Sequence, residues 1–129
     1  PRSTQGGSSA ASDVYKRQSQ TCLTVCTGAA LLAATGVLDG KPATTNKRAF
    51  EWVRGTRPQV RWRQKARWVS TEKFYTSSGV SAGMDMTLGF IADRWGLETA
   101  QEIASRCEYL WQNDPDTDPF AHSAEFESA

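Results

Sequence analysis

Thr21-Cys22-Leu23-Thr24-Val25-Cys26-Thr27-Gly28-Ala29-Ala30-Leu31-Leu32 carries the strongest structural signal in this chain. An extended, β-leaning run reaches a cysteine, a glycine follows two residues later, and an Ala/Leu helix begins at once. That is the order of a strand, a tight elbow and a helix, with Cys26 at the elbow. Such a turn lifts a side chain above the sheet and sets it at a helix N-terminus, where unpaired N–H groups and the helix dipole favour negative charge. A thiol held there is expected to ionise more readily than a free one. The backbone N–H groups of Thr27 and Gly28 are candidates to receive the oxyanion that forms when a thiolate attacks an electrophilic carbon. The same segment also fits a cysteine that merely packs in a strand, since free cysteine often behaves as a small core hydrophobe.

Length and composition limit the kind of protein this segment can belong to. With 129 residues the chain makes one domain at most; its polar ends leave roughly 90 residues for a core, near the low end for an independent α/β unit. A formal net charge of +1 gives no reason to expect a nucleic-acid partner. Three cysteines form no even framework, and no secretory or membrane-spanning run is present, which points to a reducing, cytoplasmic setting without membrane contact. His122 is the only histidine and lies near the C-terminus, so neither a histidine metal site nor a Cys–His dyad is expected, and no cofactor is called for.

Residues 1–20 are Ser/Gly/Gln-rich and read as a disordered tail or junction sequence rather than as fold. After the elbow, residues 28–35 read as a short buried helix stopped by Gly36, followed by a turn at Leu38-Asp39-Gly40. Pro42-Ala43-Thr44-Thr45 suits a short strand, and Asn46 suits the cap of a helix carrying Phe50 and Val53 inward. Residues 60–77 alternate as a hairpin, with arms Trp68-Val69-Ser70 and Phe74-Tyr75-Thr76. Two helices follow, one with Met84, Leu88, Ile91 and Trp95 on a stripe, the other with Leu97, Ala100, Ile103, Ala104, Cys107 and Leu110. Both stripes are expected to face a sheet. Residues 113–129, opened by Asp114-Pro115-Asp116-Thr117-Asp118-Pro119, read as a mobile C-terminal tail.

Other features carry weaker chemistry. Thr76-Ser77-Ser78-Gly79-Val80-Ser81-Ala82-Gly83 joins a strand to a helix and fits either a pocket wall or a tight connection; its glycine spacing matches neither a dinucleotide fingerprint nor a P-loop. Arg54, Arg57, Arg61, Arg63, Lys65 and Arg67, interleaved with Trp62 and Trp68, read as a solvated loop and an outward strand face. Asp85 reads as a helix-start residue serving the dipole, and Cys107 as a packing residue.

Taken together, Val25-Cys26-Thr27-Gly28-Ala29, Leu38-Asp39-Gly40, Ala43-Thr44-Thr45-Asn46, Thr76-Ser77-Ser78-Gly79-Val80-Ser81-Ala82-Gly83-Met84-Asp85 and Glu108-Tyr109 resemble, in order and spacing, the second half of the DJ-1/PfpI (ThiJ/PfpI) family. This family sits within the class I glutamine amidotransferase-like superfamily. The branch most similar holds the isonitrile hydratase-like proteins and the amidase-like domains of AraC-type regulators. The resemblance runs over residues 21–121, with residues 21–112 taken as the C-terminal part of the domain. It implies a partial flavodoxin-like three-layer α/β/α sandwich in which Cys26 is the elbow nucleophile and Thr27 its catalytic neighbour. Thr27 and Gly28 N–H groups would hold developing charge, and Ser78, Gly79, Val80 and Ser81 would line the pocket. Thr27 stands where protease- and chaperone-like members carry a histidine, which argues against a Cys–His protease.

The implied activity is a cysteine-dependent hydration or hydrolysis of a small electrophile, such as an isonitrile going to an N-substituted formamide. The resemblance assigns the acid partner of Cys26 to a carboxylate near the N-terminal strand, a part for which this sequence has no counterpart, so the chain alone is expected to lack turnover. The complete protein is expected to be a homodimer acting on a small molecule. A non-catalytic ligand-binding or redox-sensing domain, or an inactive fragment, remains open beside that reading.

Overall fold

The computed structural model describes residues 21–122; the expectations for residues 1–20 and 123–129 lie outside the described residues. The elements run β1 (Cys22–Thr24), α1 (Gly28–Ala34), β2 (Pro42–Ala43), α2 (Phe50–Thr56), β3 (Arg61–Trp62), β4 (Trp68–Thr71), β5 (Phe74–Ser77), α3 (Val80–Trp95) and α4 (Leu97–Arg106). No described helix is long and apolar enough to cross a membrane.

The main sheet has the order β1-β5-β4, with β1 parallel to β5 and β4 antiparallel to β5. The anticipated hairpin forms, closed by Glu72 at φ 51 and Lys73. Because strand side chains alternate between faces, the sheet buries two different sets. Phe74 and the partly buried Cys22 join Ala33, Val37, Leu38, Ala43 and Val60 on one face. Tyr75 and Leu23 join Trp68, Met86 and Phe90 on the other. Helical segments therefore lie on both sides of the sheet, the mixed α/β layering that the motifs imply. A second, two-stranded parallel sheet pairs β2 with β3, a pairing the sequence pattern did not announce.

Several local expectations are corrected. Helix α1 buries Ala29 and Ala33 but leaves Leu31 78% exposed, so it is half-buried. Helix α3 faces the sheet with Met86 and Gly89. Its Leu88 and Ile91 pack instead on Ala100, Ile103 and Ala104 of α4, while Met84 and Trp95 stay exposed. The α4 stripe thus serves a helix–helix contact, and Cys107 and Leu110 at its end are exposed rather than packed. Residues 113–122 do not lie loose. The Pro115 carbonyl accepts the Arg67 N–H at 2.6 Å, the Asp118 N–H reaches the Lys65 carbonyl at 3.0 Å, and the Asp118 side chain is buried.

Candidate active site

Cys26 sits at φ 59, in the left-handed region that costs a non-glycine residue of order 1 kcal/mol or more, so the surrounding contacts must hold it there. They come from two other stretches of chain. The Cys26 N–H donates to the Ser78 carbonyl at 2.8 Å, and the Thr45 hydroxyl donates to the Cys26 carbonyl at 2.7 Å. The elbow is thereby pinned between the start of α3 and the segment after β2, and the thiol is partly buried. Gly83 lets α3 approach closely at this point, since a Cβ there would meet both Val25 methyl groups at 2.9 Å.

The sulfur has a partner that sequence reasoning assigned elsewhere. Asn46 Nδ2 donates to Cys26 Sγ at 2.9 Å, while Asn46 Oδ1 accepts the Arg48 N–H at 2.8 Å and so fixes which end of the amide faces the thiol. Asn46 does not cap α2, whose N-cap is Ala49. An N–H donor aimed at sulfur stabilises negative charge developing on it.

The two backbone donors named from the sequence divide. The Gly28 N–H is engaged by the Val25 carbonyl at 2.9 Å inside the elbow, which removes it as an oxyanion donor in this geometry. Thr27 is exposed, and its side chain makes no helix-capping hydrogen bond. Of the loop residues, Ser78, Gly79 and Ser81 line a cavity of about 260 Å³ together with Asn46, Lys47, Arg67 and Asp118. Val80 does not join them: it is 74% exposed and borders an apolar groove with Val25 and Met84 on the other side.

Behind the cavity lies a buried charge network. Arg67 binds Asp85 Oδ2 through Nε at 2.8 Å and Nη2 at 2.7 Å, and binds Asp118 Oδ1 through Nη1 at 3.2 Å. Asp85 Oδ1 accepts the Tyr109 hydroxyl at 2.8 Å and the Gln112 N–H at 3.0 Å. Arg67 is therefore no solvated strand residue, and Asp85 is no helix-start residue but a buried counter-ion. With both its oxygens engaged, Asp85 is not free to serve Cys26. Burial pushes the Tyr109 hydroxyl up, helped by its hydrogen bond to Asp85. Burial pulls the Lys47 ammonium down to about 8 against the attraction of Asp118. Only the side-chain types, not their spacing, could have signalled this network, since Arg67 lies 18 residues from Asp85 and 51 from Asp118. Among the described residues no group of three or more His, Cys, Asp or Glu is placed to hold a metal ion.

Residues 8–93 match the profile of the DJ-1/PfpI family. An isonitrile hydratase from Pseudomonas putida is 33% identical over 109 residues, covering 81% of this chain and 46% of that protein. Among solved structures, a ThiJ/PfpI family protein from Pseudomonas syringae superposes with a TM-score of 0.68 at 26% identity, over 93% of this chain and 50% of that one. An AraC family transcriptional regulator from Pseudomonas putida superposes with a TM-score of 0.68 at 16% identity, over 78% and 54%. The chain spans about half the length of these relatives.

Proposed function

The chain belongs to the DJ-1/PfpI family, and from that premise we propose that Cys26 is the nucleophile of a hydratase or hydrolase acting on a small electrophile, with an isonitrile as substrate and an N-substituted formamide as product. The carrying observation is the elbow itself: a cysteine at φ 59, pinned by Ser78 and Thr45, with the Asn46 amide 2.9 Å from its sulfur. The Cys26 thiolate adds to the terminal isonitrile carbon, and a proton delivered to that carbon gives a thioimidate. Water then adds across its C=N bond, oxygen to carbon and one proton to nitrogen, and the C–S bond breaks as the hydroxyl proton returns to the acid–base group, which releases the formamide and regenerates the thiolate. Asn46 supports the sulfur both as attacking and as leaving group, and the Thr27 N–H is the elbow donor left for developing negative charge. Proton transfer needs an acid–base group within hydrogen-bond reach of the reacting atoms. The Asp85 and Asp118 side chains are buried and ion-paired, Asp85 with Arg67 and Asp118 with both Arg67 and Lys47, so we assign that role to a carboxylate outside the described residues.

The test is an assay of this chain beside a form extended to the length of its relatives, with a small isonitrile and detection of the formamide. The extended form should turn over, and Cys26→Ser should lower the rate at least about 100-fold. No formamide from the extended form, or turnover untouched by Cys26→Ser, contradicts the reading. The likeness to an AraC family regulator favours one second reading, a ligand-binding domain without turnover. Saturable binding of an isonitrile with no product would select it.

A further inference from the structure

Lys47 ties together the two arms that hold the Cys26 elbow. One arm is the segment after β2, from which the Thr45 hydroxyl donates to the Cys26 carbonyl and the Asn46 amide to its sulfur. The other leads from the chain entering β4 to the start of α3: the Arg67 carbonyl accepts the Ser78 N–H at 2.9 Å, and the Ser78 carbonyl accepts the Cys26 N–H at 2.8 Å. The Lys47 ammonium spans the two. It donates to Thr44 Oγ1 at 2.7 Å and the Thr45 carbonyl at 3.4 Å on the first arm, and to the Ala66 carbonyl at 2.6 Å, beside Arg67, on the second. The elbow, its two arms and the ammonium thus close one circuit of hydrogen bonds.

As mere packing, a lysine here is a costly choice. Its side chain is only 2% exposed, and its charge is met by Asp118 Oδ2 at 3.8 Å and by the Phe50 ring, whose centroid lies 5.6 Å from Nζ. An apolar side chain of similar volume often replaces a buried ion pair without loss of stability. Such a side chain cannot bind three oxygens from two segments, and a planar guanidinium cannot gather them at one atom. The neighbouring amide depends on that anchorage. Asn46 Oδ1 accepts the Arg48 N–H at 2.8 Å, so the Asn46 side chain moves with the backbone of residues 46–48, which Lys47 fixes in place. The charged groups around Lys47 are Asp118 from residues 113–122, Arg67 before β4 with Asp85 of α3 behind it, and Arg48 on the wall of the same cavity.

We infer that Lys47 is a positioning residue for the nucleophile, acting through Asn46 by holding that amide against the Cys26 sulfur. The inference rests on Cys26 as nucleophile but not on the isonitrile or on turnover, so its test reads thiol reactivity alone. The rate of Cys26 alkylation near neutral pH is measured against Cys107 in the folded unaltered chain, in Lys47→Met, in Asn46→Ala and in the double variant. Each single substitution should lower the Cys26 rate at least about fivefold. The double variant should be no slower than the slower single one, because both remove the same contact. Cys22, whose thiol burial raises, reports the fold: its labelling stays slow while the chain is folded. A second measurement keeps Lys47 in place and does not depend on whether Lys47→Met folds. In nitrogen-15-labelled Cys26→Ser, where no thiol titrates beside Asn46, the Asn46 side-chain amide resonances should shift as the Lys47 ammonium loses its proton, at about pH 8. An unchanged Cys26 rate in folded Lys47→Met, additive losses in the double variant, or an Asn46 amide that stays flat through the Lys47 transition overturns the inference. Cys26 no faster than Cys107 in the unaltered chain overturns the nucleophile reading itself, and this inference with it.

Discussion

Arg67 keeps two carboxylates, Asp85 and Asp118, out of water, and its own side chain is only 6% exposed. Removing one partner of such a network strands the others, so Arg67→Met should lower stability by about 3–5 kcal/mol in urea denaturation. Lys47 lends the same cluster a pH dependence. Its ammonium is held at about 8 in the fold against 10.5 in the open chain, so the unfolded state binds more protons between those values. Stability therefore rises with pH across that window, by on the order of 2 kcal/mol for this group between about pH 8 and pH 10. Cys22, Tyr75 and Tyr109 oppose the rise at its upper end, because burial raises all three and stability is lost once the unfolded chain deprotonates first. The gain is thus read as the difference between the unaltered chain and Lys47→Met, which should lack the rise. None of these residues announces its role locally. Arg67 sits among alternating basic residues, and Asp118 sits in a Pro/Asp run whose every neighbour suggests a loop; burial of both comes from their pairing across the chain.

At the scale of elements, close approach at glycine is what seats α3. A Cβ at Gly89 would stand 2.8 Å from Trp68 Cζ2, inside the indole that fills the sheet face. Gly89→Ala should cost about 1–3 kcal/mol through overpacking, despite the helix propensity it gains. Gly55 in α2 has nothing within 4 Å of such a Cβ, so Gly55→Ala should stabilise by up to about 1 kcal/mol. Opposite shifts of the two urea midpoints check the packing account. The hairpin was legible because Trp68-Val69-Ser70 and Phe74-Tyr75-Thr76 are β-leaning runs either side of a short break. The β2–β3 pairing was not, since two residues per strand carry no period. For α3 the period revealed an apolar stripe but not its neighbour: Leu88 and Ile91 meet another helix, and small residues with Met86 meet the sheet.

The whole molecule is needed to make one reactive position. Cys26 comes from the first described strand's exit, Asn46 and Thr45 from the segment after β2, and Ser78 from the end of the hairpin. The strand, elbow and glycine could be read from residues 21–32 alone, but the amide on the sulfur depends on a chain reversal that no local pattern encodes. Reactivity of Cys26 should therefore be a property of the fold. The two other cysteines provide internal references, since Cys107 is exposed and burial raises the Cys22 thiol. The deciding measurement is the rate of alkylation at each cysteine near neutral pH, resolved by peptide mass, in the folded chain and in urea. Cys26 should react at least about tenfold faster than Cys107 in the folded chain, Cys22 should be slowest, and the rates should converge in urea. Cys107 labelling as fast as Cys26 in the folded chain, or a Cys26 advantage that survives in urea, would contradict an elbow nucleophile made by the fold.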